Sequence, residues 1–235
     1  MMIFWLKSAP AFALLLLATN ATARGLDWNK DPLSEFTELR ADAQLPESRK
    51  IPVSPARLDQ GAIDEDDDPA LGGKEAPVAL ISFGSYQCPY SKAFYLEILP
   101  RLQAEYVDKG KVRFVFRDFP LPKHKNSKPA AEASECADEQ GKFWDFHGGL
   151  FLNQKRLGPE LYVELAQQSG LDLARFKECI DSGKYRQEVE IDHDYGIKIG
   201  VTGTPTAFIN GKIFAGMEPY EKFKALIDEE LARHP

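Results

Sequence analysis

Only three cysteines occur in 235 residues, at positions 88, 136 and 179. That is far too few for a disulfide-dense scaffold, in which cross-links stand in for a core. Positive charge is also scarce: 29 Lys and Arg face 36 Asp and Glu, a net charge of −7. An acidic chain is repelled by a phosphate backbone, which excludes nucleic acid as the main partner. Long apolar runs are missing too. The run at 9–18 is about half of the roughly 20 residues that a membrane-spanning helix needs. Metal-ligand spacing is absent from the four histidines, His124, His147, His193 and His234, so neither a metal nor a cofactor is expected. What is present is an ordinary globular composition, 43% apolar and 28% charged, which excludes a collagen-like or wholly disordered chain.

Residues 1–23 read as a secretory signal. Lys7 supplies the positive charge, residues 9–18 the short apolar stretch, and Ala21-Thr22-Ala23 an A-x-A cleavage site. An uncleaved membrane anchor is the competing reading. Export places the chain in the periplasm or outside the cell, where disulfides persist. Residues 24–76 read as an N-terminal extension interrupted by Pro32, Pro46, Pro52, Pro55 and Pro69. Its acidic run, Asp64-Glu65-Asp66-Asp67-Asp68, has partial EF-hand spacing with Glu75. Pro69, however, stands where the calcium loop needs glycine. A solvated acidic linker is expected there.

Residues 77–235 form the ordered domain. The run 78–83 is nearly all apolar and β-branched, as in a strand covered on both faces. A helix starts at Cys88-Pro89, since proline suits the first helical position. Phe94, Ile98, Leu102 and Tyr106 recur at helical spacing, with a kink expected at Pro100. A second strand follows at 112–119, making a βαβ unit with parallel strands. Residues from about 124 to 199 read as a helical insert punctuated by Pro159, Gly170, Asp172 and Gly183. Strands at 206–209 and 212–215 flank Asn210-Gly211, a strong hairpin signal. Pro219 opens a last helix. The class is α/β, in the order β-α-β, helical insert, β-β-α.

Cys88 falls after a strand, at the N-terminus of a helix. Free N–H groups and the helix dipole stabilise an anion there, which lowers the pKa of a thiol. Pro89 holds the turn, and the Ser91 hydroxyl is placed to hydrogen-bond the sulfur. Tyr86-Gln87-Cys88-Pro89-Tyr90-Ser91, followed far downstream by Gly203-Thr204-Pro205-Thr206, resembles the DsbA-like branch of the thioredoxin superfamily. So do the Ala-rich helix with Cys136, Gly141-Lys142-Phe143-Trp144 and Gly170-Leu171-Asp172. The resemblance covers about residues 70–233 and implies a thioredoxin-like fold. It also implies a cis Thr204-Pro205 bond beside the thiol, and a Thr204 backbone that pairs with an extended substrate. The catalytic set is then Cys88 as nucleophile, tuned by Pro89, Tyr90 and Ser91, with Thr204 and Pro205 binding substrate. The sulfur must also be reachable from solvent.

Ser91 departs from the branch's usual Cys-x-x-Cys pair. A hydroxyl forms no disulfide, so a mixed disulfide on Cys88 is released by an external thiol or a second substrate cysteine. Reduction or isomerisation is therefore expected ahead of direct dithiol oxidation. Partners are cysteine-containing proteins or peptides, glutathione, and a membrane redox partner. The branch implies a structural bridge between Cys136 and Cys179; the rival is that one of them resolves Cys88. His147, among Phe143, Trp144, Phe146 and Phe151, reads as a packed helix residue rather than the base of a Cys–His hydrolase. The alternative function is a redox-inactive peptide-binding or chaperone module that keeps this fold.

Overall fold

The computed structural model describes residues 67–233. Within them, five strands form one mixed sheet: β1 (Ala70–Leu71), β2 (Val78–Gly84), β3 (Val112–Asp118), β4 (Thr206–Ile209) and β5 (Lys212–Ala215). Their spatial order is β1-β3-β2-β4-β5. β2 and β3 run parallel, in register from Val78↔Val112 to Gly84↔Asp118; the other neighbours pair antiparallel. Successive side chains of a strand point to opposite faces, so β2 feeds two cores. Leu80, with Phe114, Phe116 and Ile209, faces the larger one, and Ile81 and Phe83, with Val115 and Phe208, face the smaller. Asn210 and Gly211 both have positive φ, 45° and 79°, which turns β4 tightly into β5.

The helices are α1 (89–107), α2 (Ser127–Asp138), α3 (Phe143–Leu152), α4 (Pro159–Gln168), α5 (Leu173–Ser182), α6 (Arg186–Lys198) and α7 (Tyr220–Arg233). From β2 onward the order of elements is the one the sequence predicts. α1 is irregular because Pro100 has no N–H to give to the preceding turn. The backbone opens into π turns at Phe94–Ile98 and Gln103–Val107, on either side of Leu99–Leu102. The expected kink is thus taken up by wider i→i−5 turns. Cys136 of α2 and Cys179 of α5 are joined by a disulfide, S–S 2.02 Å, at a sequence separation of 43.

The fold begins earlier than residue 77. β1 pairs with β3 through Ala70↔Val115 and Leu71↔Phe114. Asp68, assigned from sequence to a solvated linker, keeps only 8% of its side chain exposed and lies 2.8 Å from Arg117 Nε. Arg117 is buried in the sheet, and a buried guanidinium needs oxygen atoms around it. Asp192 of α6 supplies another, accepting from Arg117 Nε at 3.0 Å and Nη2 at 2.5 Å. Its second oxygen takes the Asp118 N–H, which ties α6 to β3. Gly196 lets α6 lie this close, since a Cβ there would stand 2.7 Å from the Phe119 ring. No described helix is long and apolar enough to cross a membrane. The secretory signal and most of the acidic extension lie outside the described residues.

Candidate active site

β2 ends at Gly84, and residues 85–88 make a tight turn closed by Cys88 N–H donating to Ser85 O at 2.9 Å. Cys88 is the N-cap of α1, with Pro89 first in the helix. β4 is the antiparallel neighbour of β2, with Phe83 opposite Thr206. That pairing carries the segment before β4 to the same end of the sheet. The Thr204-Pro205 peptide is cis, and the Cys88 thiol donates to the Thr204 carbonyl at 3.2 Å. Residues 116 positions apart thus meet because two adjacent strands end and begin together.

Cys88 is 4% exposed, Pro89 is exposed and Tyr90 is half-buried. Ser91 is buried, and its oxygen accepts the Ser85 N–H at 3.3 Å. That corrects the expectation that its hydroxyl bonds the sulfur: the sulfur turns to Thr204 and Ser91 braces the turn. A cavity of about 10 Å³, room for roughly one water, lies between Ser91, Ser82, Gly84 and Pro205. With Cys136 and Cys179 bonded to each other, Cys88 holds the one free thiol among the described residues.

The turn is clamped from the helical insert. Ser85 Oγ lies 2.9 Å from His124 Nδ1 and 2.8 Å from Ser127 Oγ, and Ser127 Oγ also accepts the Tyr86 N–H at 3.0 Å. Gln154 Nε2 donates to both Tyr86 O (2.7 Å) and Cys88 O (2.9 Å). Gln87 Oε1 accepts the Asn126 N–H. Sequence reasoning missed Ser85, Ser127, His124 and Gln154. Ser85 is a plausible turn residue by type, but partners 39 to 68 residues away leave no local signal.

His147 is not paired with Cys88. Its Nδ1 lies 2.6 Å from the Tyr86 hydroxyl, and the rings of Tyr95, Phe116, Phe143 and Phe151 surround it. Ser134 donates to Ala131 O and receives the Tyr86 proton, so the Nδ1 of His147 is the donor to Tyr86. Burial holds the imidazole well below its usual pKa, and therefore neutral. Burial likewise pushes the Tyr86 phenol well above its usual range. This pair is a packed polar link between α3 and the turn, so the arrangement offers no base for a Cys–His hydrolase. Among the described residues, no group of three or more His, Cys, Asp or Glu is placed to hold a metal ion.

Comparison with known proteins decides the family. The family model described as "Thioredoxin" matches residues 64–229. The chain belongs to the DsbA-like branch of the thioredoxin superfamily. It is 34% identical over 171 residues to Disulfide bond formation protein D of Bacillus subtilis, covering 69% of this chain and 77% of that one. The crystal structure of oxidised BdbD from Bacillus subtilis superposes with a TM-score of 0.69 at 33% identity, over 73% of this chain and 97% of that one. Wolbachia pipientis alpha-DsbA1 superposes with a TM-score of 0.64 at 25% identity, over 71% and 92%. A DsbA-like protein of this kind is a thiol–disulfide oxidoreductase. Its chemistry is attack of a thiolate on a disulfide sulfur, which forms a mixed disulfide.

Proposed function

We propose that this protein is an exported thiol–disulfide oxidoreductase that works through Cys88 alone. The observation that carries the reading is the Cys88–Thr204 contact beside the cis proline, with serine at the second active-site position. The Cys88 thiolate attacks a substrate disulfide, forms a new S–S bond, and the leaving sulfur departs with the bonding electrons. Losing the S–H frees the Thr204 carbonyl, which then accepts a backbone N–H from the extended substrate. Ser91 cannot displace that substrate, so an external thiolate attacks the mixed disulfide and Cys88 leaves as thiolate. When the substrate is glutathionylated, Cys88 takes the glutathione sulfur and the substrate leaves as a free thiol; a second glutathione then displaces Cys88 and departs as glutathione disulfide, so the substrate is reduced. If the attacker is another cysteine of the same substrate, the disulfide is isomerised and no net electrons move. Cysteine-containing proteins and glutathionylated peptides are the substrate class, and export into an oxidising compartment fits it. A membrane redox partner would serve to reset the substrate pool.

One observation favours a second reading. Cys88 is only 4% exposed, as suits a redox-inactive module that binds peptides at the same place. Turnover of a glutathionylated peptide with glutathione as donor separates the two. The oxidoreductase turns over and its Cys88→Ala variant does not. Equal behaviour of wild type and variant leaves only the binding module.

A further inference from the structure

In a chain with an excess of acid, residues 119–131 carry Lys123, His124, Lys125 and Lys128 and not one Asp or Glu. The fold turns this segment into one wall of a cleft of about 320 Å³, with α6 as the other. Pro120, Leu121 and Val189 line its apolar part. At the rim, Lys128 pairs with Glu190 across the cleft, whereas Lys125 is exposed and has no ion pair among the described residues. The cleft is also linked to the turn that carries the nucleophile. His124, in its wall, bonds Ser85 Oγ, and Ser85 O holds the Cys88 N–H. An unpaired cation in a cleft with an apolar lining, next in sequence to the histidine that bonds the Cys88 turn, matches a carboxylate on a short aliphatic stem.

We propose that this cleft is a subsite for a carboxylate of the disulfide substrate, with Lys125 as its ion-pair partner. The inference rests on the reading that Cys88 exchanges disulfides. The carboxylate comes either from glutathione or from an acidic residue beside a protein cysteine.

The test uses the full chain and follows mixed-disulfide formation on Cys88 by mass spectrometry. Glutathione disulfide is the anionic probe and the disulfide of mercaptoethanol the neutral one; each exchange releases one free thiolate. A second pair consists of peptide disulfides that differ by Glu or Gln beside the cysteine. The anionic-to-neutral rate ratio falls about three- to tenfold in Lys125→Glu and recovers in Lys125→Arg, and the fall shrinks as salt is raised. A fall with glutathione alone assigns the subsite to the small thiol, and a fall with the peptide alone to protein substrates; either result supports it. Unchanged ratios in both pairs overturn the subsite. Wild-type Cys88 left unmodified by the neutral disulfide overturns the exchange reading itself.

Discussion

At the scale of single residues, position 91 separates this protein from a dithiol enzyme. Cys88 and Ser91 are one helical turn apart, so their side chains share a face. Ser91 borders the cavity of about 10 Å³, which gives a larger sulfur atom somewhere to go. Ser91→Cys is therefore expected to create an 88–91 disulfide. Thiol titration of the oxidised variant should find no free thiol, against one in the wild type, and two after mild reduction that spares 136–179. Persistence of a free thiol after oxidation would contradict the geometry. The same change removes the acceptor of the Ser85 N–H, at a stability cost of about 1 kcal/mol. Gln154 carries a heavier share, since one amide group satisfies two carbonyls of the turn. Gln154→Ala is expected to lower unfolding free energy by about 1–3 kcal/mol, measured by urea denaturation. A loss within error of zero would mean that water replaces the amide without cost.

At the scale of elements, the disulfide joins α2 to α5 inside the insert, on helices that carry none of the contacts to the sulfur of Cys88. Closing a loop of this span constrains the unfolded chain by about 4 kcal/mol in the chain-entropy account. Replacing both Cys136 and Cys179 by serine should lower stability by up to that amount. It should leave turnover through Cys88 intact at temperatures where the variant is folded. Lost turnover in a folded variant would instead mark one of the two as the resolving cysteine. The elements themselves were largely legible in the sequence because their punctuation is local. Pro159, Asp172 and Gly183 bound α4 and α5, and Asn210-Gly211 fixes the hairpin. β1 was not legible: two residues after Pro69 and an acidic run carry no strand period, and only pairing with β3 makes them a strand. The site divides the same way. Cys88, Pro89 and Thr204-Pro205 stand out as motifs, whereas Ser127, His124 and Gln154 acquire their roles through contacts across the fold. Ser91 was legible by position but not by partner, since its choice of Ser85 over the sulfur depends on how the turn closes.

At the scale of the whole molecule, an acidic chain has folded part of its acid inward. Asp118, Asp192 and Glu135 are buried and Asp68 and Glu188 partly buried, with the Arg117 guanidinium between Asp68 and Asp192. Asp118 Oδ1 is buried without a hydrogen-bond partner among the described residues. Burial first, then the neighbouring Asp192, pushes the Asp68 carboxyl up to about 10. Burial and then Asp67 raise Glu188 to about 7, and burial also raises Asp118 and Glu135. The folded protein therefore holds protons that the unfolded chain, with carboxyls near pH 4, has already released. Raised acids contribute stability that is complete below the unfolded value and is lost as pH rises through the folded one. Glu188 spreads its loss from about pH 4 to about 7, and Asp68 continues it toward about 10. Thermal unfolding at matched ionic strength should thus give a melting temperature that declines from pH 5 to pH 9. Glu188→Gln should flatten the part below about pH 7, because the amide keeps the hydrogen-bonding shape of the protonated acid without titrating. A melting temperature that rises across this window would show that Arg117 and the surrounding dipoles keep these carboxyls ionised.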